Sequence, residues 1–258
     1  MTKPTNPALV LVHGLGSAGN IWKSLLPDLV KDFTVYSIDL PGHGEAQMCE
    51  TEKYDPRSLG QMILRHMQEI HSVKKMHVAG NSLGGWISLE MAAISPNEVA
   101  SVTALAPAGL WQEAPLMKIP PSIDSRILAK ISQFFMPIAF RLPPLKAFGY
   151  RKITHLWREL SYETCRDSVI AMARSKGYKH LWEGIRGRKF ESAVDSEVNV
   201  SVVFGDSDLT LPETLAQEKS LLPKHAKWIR VPNCAHVIMW NHPETTIKLI
   251  KESAGLAF

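Results

Sequence analysis

Met76-His77-Val78-Ala79-Gly80-Asn81-Ser82-Leu83-Gly84-Gly85 decides how this chain is read. A short apolar run leads into G-x-S-x-G, and a helical pattern then begins at Trp86-Ile87-Ser88. A serine at so sharp a strand-to-helix turn is held clear of the sheet edge in a strained backbone. The glycines two residues to either side let neighbouring chain pass closely. Ser82 is thereby an exposed candidate nucleophile. The competing reading is a glycine-rich turn that cradles phosphate at a helix N-terminus.

Working outward, short runs rich in Val, Ile and Leu lie at 8–12, 34–38, 76–80, 101–106 and 200–204, with a sixth at 226–231. Such runs suit strands covered on both faces. Helical patterns fall at 21–30, 58–71, 83–94, 213–221 and 244–251. Strand alternating with helix implies an α/β fold whose parallel sheet carries helices on both faces. The alternation stops between Gly109 and about Asp195, where helical stretches are punctuated by Pro115, Pro120, Pro121, Pro137, Pro143 and Pro144. This segment reads as an inserted helical cap over 110–194, with the core formed by 1–109 and 195–258.

The 258 residues suffice for one large core. The net charge of +4 hides an uneven distribution. Residues 115–190 hold 15 Lys and Arg against 5 Asp and Glu, whereas the remainder holds 14 against 20. No nucleic-acid motif accompanies this basic segment, and the rest is acidic, so no nucleic-acid partner is expected. The cap's charge could draw anionic substrates, make peripheral contact with an acidic membrane surface, or be a solvated face; the last is the favoured reading. No run approaches the roughly 20 apolar residues of a membrane span. The start shows no basic region, apolar region and cleavage site in succession. Cys49, Cys165 and Cys234 have neither metal-ligand spacing nor an even count. Reduced thiols and a cytoplasmic location are the expectation. The oligomeric state is not legible.

Several segments together resemble the α/β-hydrolase family, and the resemblance covers nearly the whole chain outside the cap. His13-Gly14-Leu15-Gly16 looks like the family's HGxG oxyanion loop, and Asp39-Leu40-Pro41-Gly42-His43-Gly44 like its D-x-P-G-x-G turn. Gly205-Asp206-Ser207-Asp208 with Pro212 matches the G-x-x-D-x-x-x-P segment, and Cys234-Ala235-His236 the C-[GA]-H segment. The resemblance implies Ser82 as nucleophile, Asp208 rather than Asp206 as the acid, and His236 as the base, in the order this fold uses. It implies the backbone N–H groups of Leu15 and Leu83 as the oxyanion hole. His13, His43 and Asp39 are read as architectural. Only seven residues precede the first strand, so the antiparallel hairpin many members carry is expected to be missing, leaving about six parallel strands.

Serine at the elbow separates the chain from relatives that place aspartate there. It implies acyl transfer from a small apolar or anionic ester to water, with no cofactor and no metal. A carbon-carbon bond hydrolase is the alternative enzyme. His236-Val237-Ile238-Met239-Trp240-Asn241-His242 matches that branch's H-W-x-x-W-x-H at three positions but carries Val237 in place of tryptophan. On this comparison Trp240 is a candidate substrate contact. A ligand receptor retaining the triad is the alternative of another class. The cap aromatics Phe134, Phe135, Phe140, Phe148, Trp157 and Trp182, with Met136, are candidates for pocket walls, the competing role being packing between cap helices.

Overall fold

The computed structural model describes residues 6–49, 53–117 and 123–256. Six strands, β1 (Ala8–Val12), β2 (Thr34–Ile38), β3 (Met76–Asn81), β4 (Val99–Leu105), β5 (Asn199–Gly205) and β6 (Lys227–Val231), form one sheet in the order β2-β1-β3-β4-β5-β6. Every neighbouring pair is parallel. The four inner strands are almost wholly buried, whereas β2 and β6 at the edges are only partly covered. That difference is why the inner strands read as unbroken apolar runs.

The chain begins at β1, steps one way to β2, then crosses back to β3 and continues outward. The direction therefore reverses between β1 and β3, and the carboxyl ends of those strands flank the crevice where open α/β sheets bind ligands. The His13-Gly14-Leu15-Gly16 loop follows β1, and Ser82 follows β3.

Eleven α-helices occur among the described residues: α1 (Leu26–Leu29), α2 (Pro56–Glu69), α3 (Leu83–Ile94), α4 (Ile123–Ser132), α5 (Met136–Ala139), α6 (Pro143–Tyr150), α7 (Tyr162–Arg174), α8 (Tyr178–Ile185), α9 (Glu213–Ala216), α10 (Ile238–Asn241) and α11 (Pro243–Ser253). Asp55 caps α2 by accepting the Ser58 N–H at 3.1 Å, and Pro56 opens the helix where its missing N–H costs nothing. Leu59, Ile63, Leu64 and Met67 form its buried stripe. Helix α3 has no polar face, because it is enclosed by the sheet and α2.

Two expected helices are interrupted. Over 21–30 the chain makes a 3-10 turn at Gly19–Trp22 and then α1. Pro27 lacks an N–H and its ring would clash with the carbonyl four residues earlier. Over 213–221, α9 ends and a 3-10 turn, Lys219–Leu221, follows. There the Glu218 N–H leaves the helix path to reach the Leu110 carbonyl at 2.7 Å.

Helices α4 to α8 are the insertion between β4 and β5. Its first part has a small core of its own in Met136, Tyr150, Leu160 and Cys165. Its last helix buries Tyr178, Leu181, Trp182 and Ile185. Backbone bonds tie the insertion to the core: Gly177 N–H to Gly42 O at 3.1 Å, and Val237 N–H to Ile153 O at 2.9 Å. No helix among the described residues is long and apolar enough to cross a membrane.

Candidate active site

Ser82 occupies φ 56°, ψ −117°, a conformation that L-residues avoid at a cost of about 1–3 kcal/mol. Surrounding bonds impose it. Its N–H donates to Leu105 O at 2.9 Å, and its carbonyl accepts the Ala108 N–H at 2.9 Å. The turn is tight enough that a Cβ on Gly84 would sit 2.1 Å from the Val12 carbonyl oxygen. Only glycine lets α3 start this close to the end of β1. Ser82 itself remains partly open to solvent between buried neighbours.

Asp208 and His236 come together across the loops that follow β5 and β6. Asp208 is buried, and its Oδ2 lies 2.8 Å from His236 Nδ1. Its other oxygen, Oδ1, accepts the N–H groups of Thr210 and Leu211, each at 2.8 Å. Burial pushes the carboxyl pKa up, but the imidazole and these two N–H donors outweigh it and hold the group below its ordinary value. An ionised Asp208 accepts from Nδ1–H of the His236 ring, the tautomer in which Nε2 is free to accept a proton.

Asp206 has another role. It is exposed, and its carboxylate accepts the N–H groups of Asn233 at 3.1 Å and Cys234 at 3.2 Å. It shapes the turn that delivers His236 without touching the ring. Asn81, which sequence reasoning passed over, completes the frame. Its buried side-chain amide donates to Leu105 O at 3.1 Å and to His236 O at 3.3 Å. A polar residue at the buried end of a strand was the available signal, since such a group must find partners.

The loop after β1 closes on the serine from the other side. A Cβ on Gly14 would lie 3.0 Å from Ser82 Cβ and 3.6 Å from its Oγ. Leu83 opens α3, so its N–H has no intrahelical acceptor. Among the described residues neither Leu15 N–H nor Leu83 N–H meets a protein acceptor.

His13 and His43 brace this loop. His13 Nε2 accepts the Leu40 N–H at 3.0 Å, which leaves Nδ1 to donate to Gly14 O at 2.8 Å. His43 Nε2 accepts the Gly16 N–H at 3.2 Å, and its Nδ1 donates to Pro41 O at 3.0 Å. Both rings are therefore neutral. Burial, then the neighbouring His43, pushes His13 down to about 4. Asp39 Oδ1 stands 3.9 Å from His13 Nε2, beyond hydrogen-bond reach of an atom already occupied. Asp39 instead accepts the N–H groups of Gly19 at 2.7 Å and Glu45 at 2.9 Å.

The insertion covers the loop after β1. A Cβ on Gly16 would meet Met172 Sδ at 2.7 Å and Tyr178 Cε2 at 2.9 Å, so α7 and α8 stand over the loop. No local pattern marks these two residues in the sequence, because only the tertiary fold brings them here. Trp240 is half-buried; its indole N–H donates to Ile21 O at 3.4 Å and its ring lies 6.4 Å from that of Tyr150. Of the cap residues read as pocket walls, Trp182 joins the main core and donates to Met117 O, and Met136 is buried within the cap. Phe134, Phe135 and Phe148 are exposed. No cluster of three or more metal-ligating side chains occurs among the described residues.

Comparison with known proteins places the fold in a family. A family model described as the alpha/beta hydrolase fold matches residues 7–243, and the chain belongs to that family. It is an enzyme of the hydrolase class. A pimeloyl-[acyl-carrier protein] methyl ester esterase of Methylococcus capsulatus is 27% identical over 263 residues, covering 97% of this chain and 96% of that protein. The dihydrolipoyllysine-residue acetyltransferase component of the acetoin cleaving system of Pseudomonas putida is 39% identical over 104 residues. That match covers 40% of this chain, and this chain spans only 28% of that relative's length. Among solved structures, a membrane phospholipase A described as a bacterial virulence factor superposes with a TM-score of 0.75 at 23% identity, over 97% of this chain and 79% of that one, a likeness of fold.

Proposed function

We propose that the chain is a serine hydrolase that cleaves carboxylic esters through an acyl-enzyme. The observation that carries this reading is the buried Asp208–His236 pair, 2.8 Å apart and tethered through Asn81 to the strained turn of Ser82. The relation to a methyl ester esterase over nearly its full length supports an ester substrate.

In this mechanism His236 Nε2 takes the proton of Ser82 Oγ as the oxygen attacks the ester carbonyl carbon. The N–H groups of Leu15 and Leu83 receive the developing oxyanion, and the neighbouring helix N-terminus favours the same charge. The tetrahedral adduct collapses by breaking the bond to the alkoxy oxygen, which leaves with the proton held on His236. Water then gives a proton to His236 and attacks the acyl carbon. The second collapse releases the acid and returns the proton to Ser82. Asp208 stays ionised throughout and stabilises the imidazolium. Met172, half-buried over the loop, would meet the acyl or alcohol portion of the substrate.

The test is steady-state turnover of a short and a medium p-nitrophenyl ester by wild type and Ser82→Ala, beside a dienoate carbon-carbon substrate. Ester turnover that disappears in Ser82→Ala supports the proposal. Dominant dienoate cleavage replaces it with carbon-carbon hydrolysis. A folded wild type that turns over none of these substrates overturns it in favour of ligand reception.

A further inference from the structure

We propose that the outer face of α4 to α6 docks on an anionic lipid surface. The proposal does not rest on the chemistry at Ser82.

Helix α4 packs against α7. Arg126 donates to the Ser175 carbonyl at 2.9 Å and lies over the Tyr178 ring at 5.8 Å, while Ala129 is buried. The opposite side is open among the described residues. Ile127 and Ile131, one helical turn apart, are 52% and 57% exposed. The stripe continues past the helix end with Phe134 at 76% and Phe135 at 59%, then Ile138 at 63% and Phe148 at 60%. Single exposed apolar residues are ordinary, but a run of large ones within so short a stretch marks a surface that meets something apolar.

Charge selects the occupant. Between Arg126 and Arg158 the sequence holds seven Lys and Arg and no Asp or Glu. Lys130, Arg141, Arg151 and Lys152, in the same stretch of chain as the apolar side chains, are exposed. A second copy meeting this face symmetrically would set these cations against themselves, because a two-fold contact pairs a patch with its own image. A membrane with anionic headgroups accepts both features together: aromatic and aliphatic side chains enter the headgroup boundary while cations stay among the phosphates. The positive segment that the sequence alone assigns to a solvated face thus carries an apolar centre that solvation does not account for.

The direct test is co-sedimentation of the full chain carrying Ser82→Ala, so that no lipid is consumed. Vesicles of phosphatidylcholine alone are compared with vesicles also containing phosphatidylglycerol. Binding is expected on the anionic vesicles and is expected to weaken as salt rises from about 0.1 M to about 1 M, where the screening length falls from ~10 Å to ~3 Å. Each cation near an anionic surface contributes about fivefold, so Lys130→Glu with Arg141→Glu should lower partitioning at least ~10-fold. Phe134→Ser with Phe135→Ser should also lower it at least ~10-fold, even at high salt. Ile70→Ser, at an exposed apolar position on the core, should leave it unchanged. Circular dichroism melts establish that each variant is folded. The proposal fails if anionic vesicles do not bind the chain, if both cap variants bind as well as the parent, or if lipid-free sedimentation shows an oligomer that the phenylalanine variant dissolves while vesicle binding is absent.

Discussion

The side-chain amide of Asn81 holds the main-chain carbonyl of His236 at 3.3 Å. The residue directly before the candidate nucleophile thus positions the backbone of the candidate base, although the two are 155 residues apart in the chain. The same amide reaches Leu105 O at the end of β4, so one planar group joins three loops at the carboxyl edge of the sheet.

Asn81→Ala leaves two buried carbonyls without this donor, which should cost about 1–3 kcal/mol of stability. With the imidazole less well placed, kcat should fall by up to about 10²-fold while KM changes little. Urea denaturation and ester kinetics measure the two effects. A loss of stability with kcat unchanged would make Asn81 a packing residue only.

Asp208 and Asp206 should separate cleanly. Asp208→Asn removes the carboxylate that fixes the His236 tautomer, and kcat should drop by about 10⁴-fold. Asp206→Asn weakens the turn at Asn233 and Cys234, at about 1 kcal/mol of stability, with kcat held within about tenfold. Equal losses in the two variants would remove the distinction drawn from their contacts.

Gly84 and Gly14 offer a second contrast. A Cβ at Gly84 meets the backbone oxygens of Val12 at 2.1 Å and His13 at 2.6 Å, neither of which can yield. Gly84→Ala should cost more than about 3 kcal/mol. A Cβ at Gly14 meets Ser82 Cβ at 3.0 Å, a contact that a small shift relieves. Gly14→Ala should therefore remain folded and lose up to about 10²-fold in kcat as the serine is displaced. Thermal melts and ester kinetics on both variants check the order.

Stability should fall on mild acidification. His13 is pushed down from 6.5 to about 4 by burial and by His43, and burial lowers His43 and His77 as well. A histidine whose folded value lies below its unfolded one contributes stability that is complete above about 6.5. That stability is lost as pH falls toward the folded value, by up to about 1.4 kcal/mol per pH unit for each proton. The urea midpoint should therefore decrease from about pH 7 to about pH 5. A midpoint that rises over that interval would contradict neutral, buried rings at these positions.

Much of this arrangement is legible in the sequence where local pattern and tertiary demand coincide. The buried strands announce themselves as short aliphatic runs, and β1 and β2 fall at 8–12 and 34–38, as the pattern predicts. The turns at Ser82, Asp208 and His236 lie at strand ends where glycine and short polar residues are required by geometry. Less legible is whatever depends on contact between distant segments. Pro27 breaks an apolar stretch that periodicity alone reads as one helix. Met172 and Tyr178 reach Gly16 across a tertiary contact in which Gly177 is bonded to Gly42. Exposure of Phe134, Phe135 and Phe148 is invisible to a composition that reads them as interior walls.

Ser82 should become covalently acylated during turnover, which intact-protein mass spectrometry of the enzyme quenched in the pre-steady-state phase of p-nitrophenyl ester hydrolysis detects. A burst of p-nitrophenol near one equivalent and a mass increase of one acyl group on the Ser82 peptide are expected, both missing in Ser82→Ala. Ester turnover with no burst and no adduct, or an adduct on another residue, would contradict it.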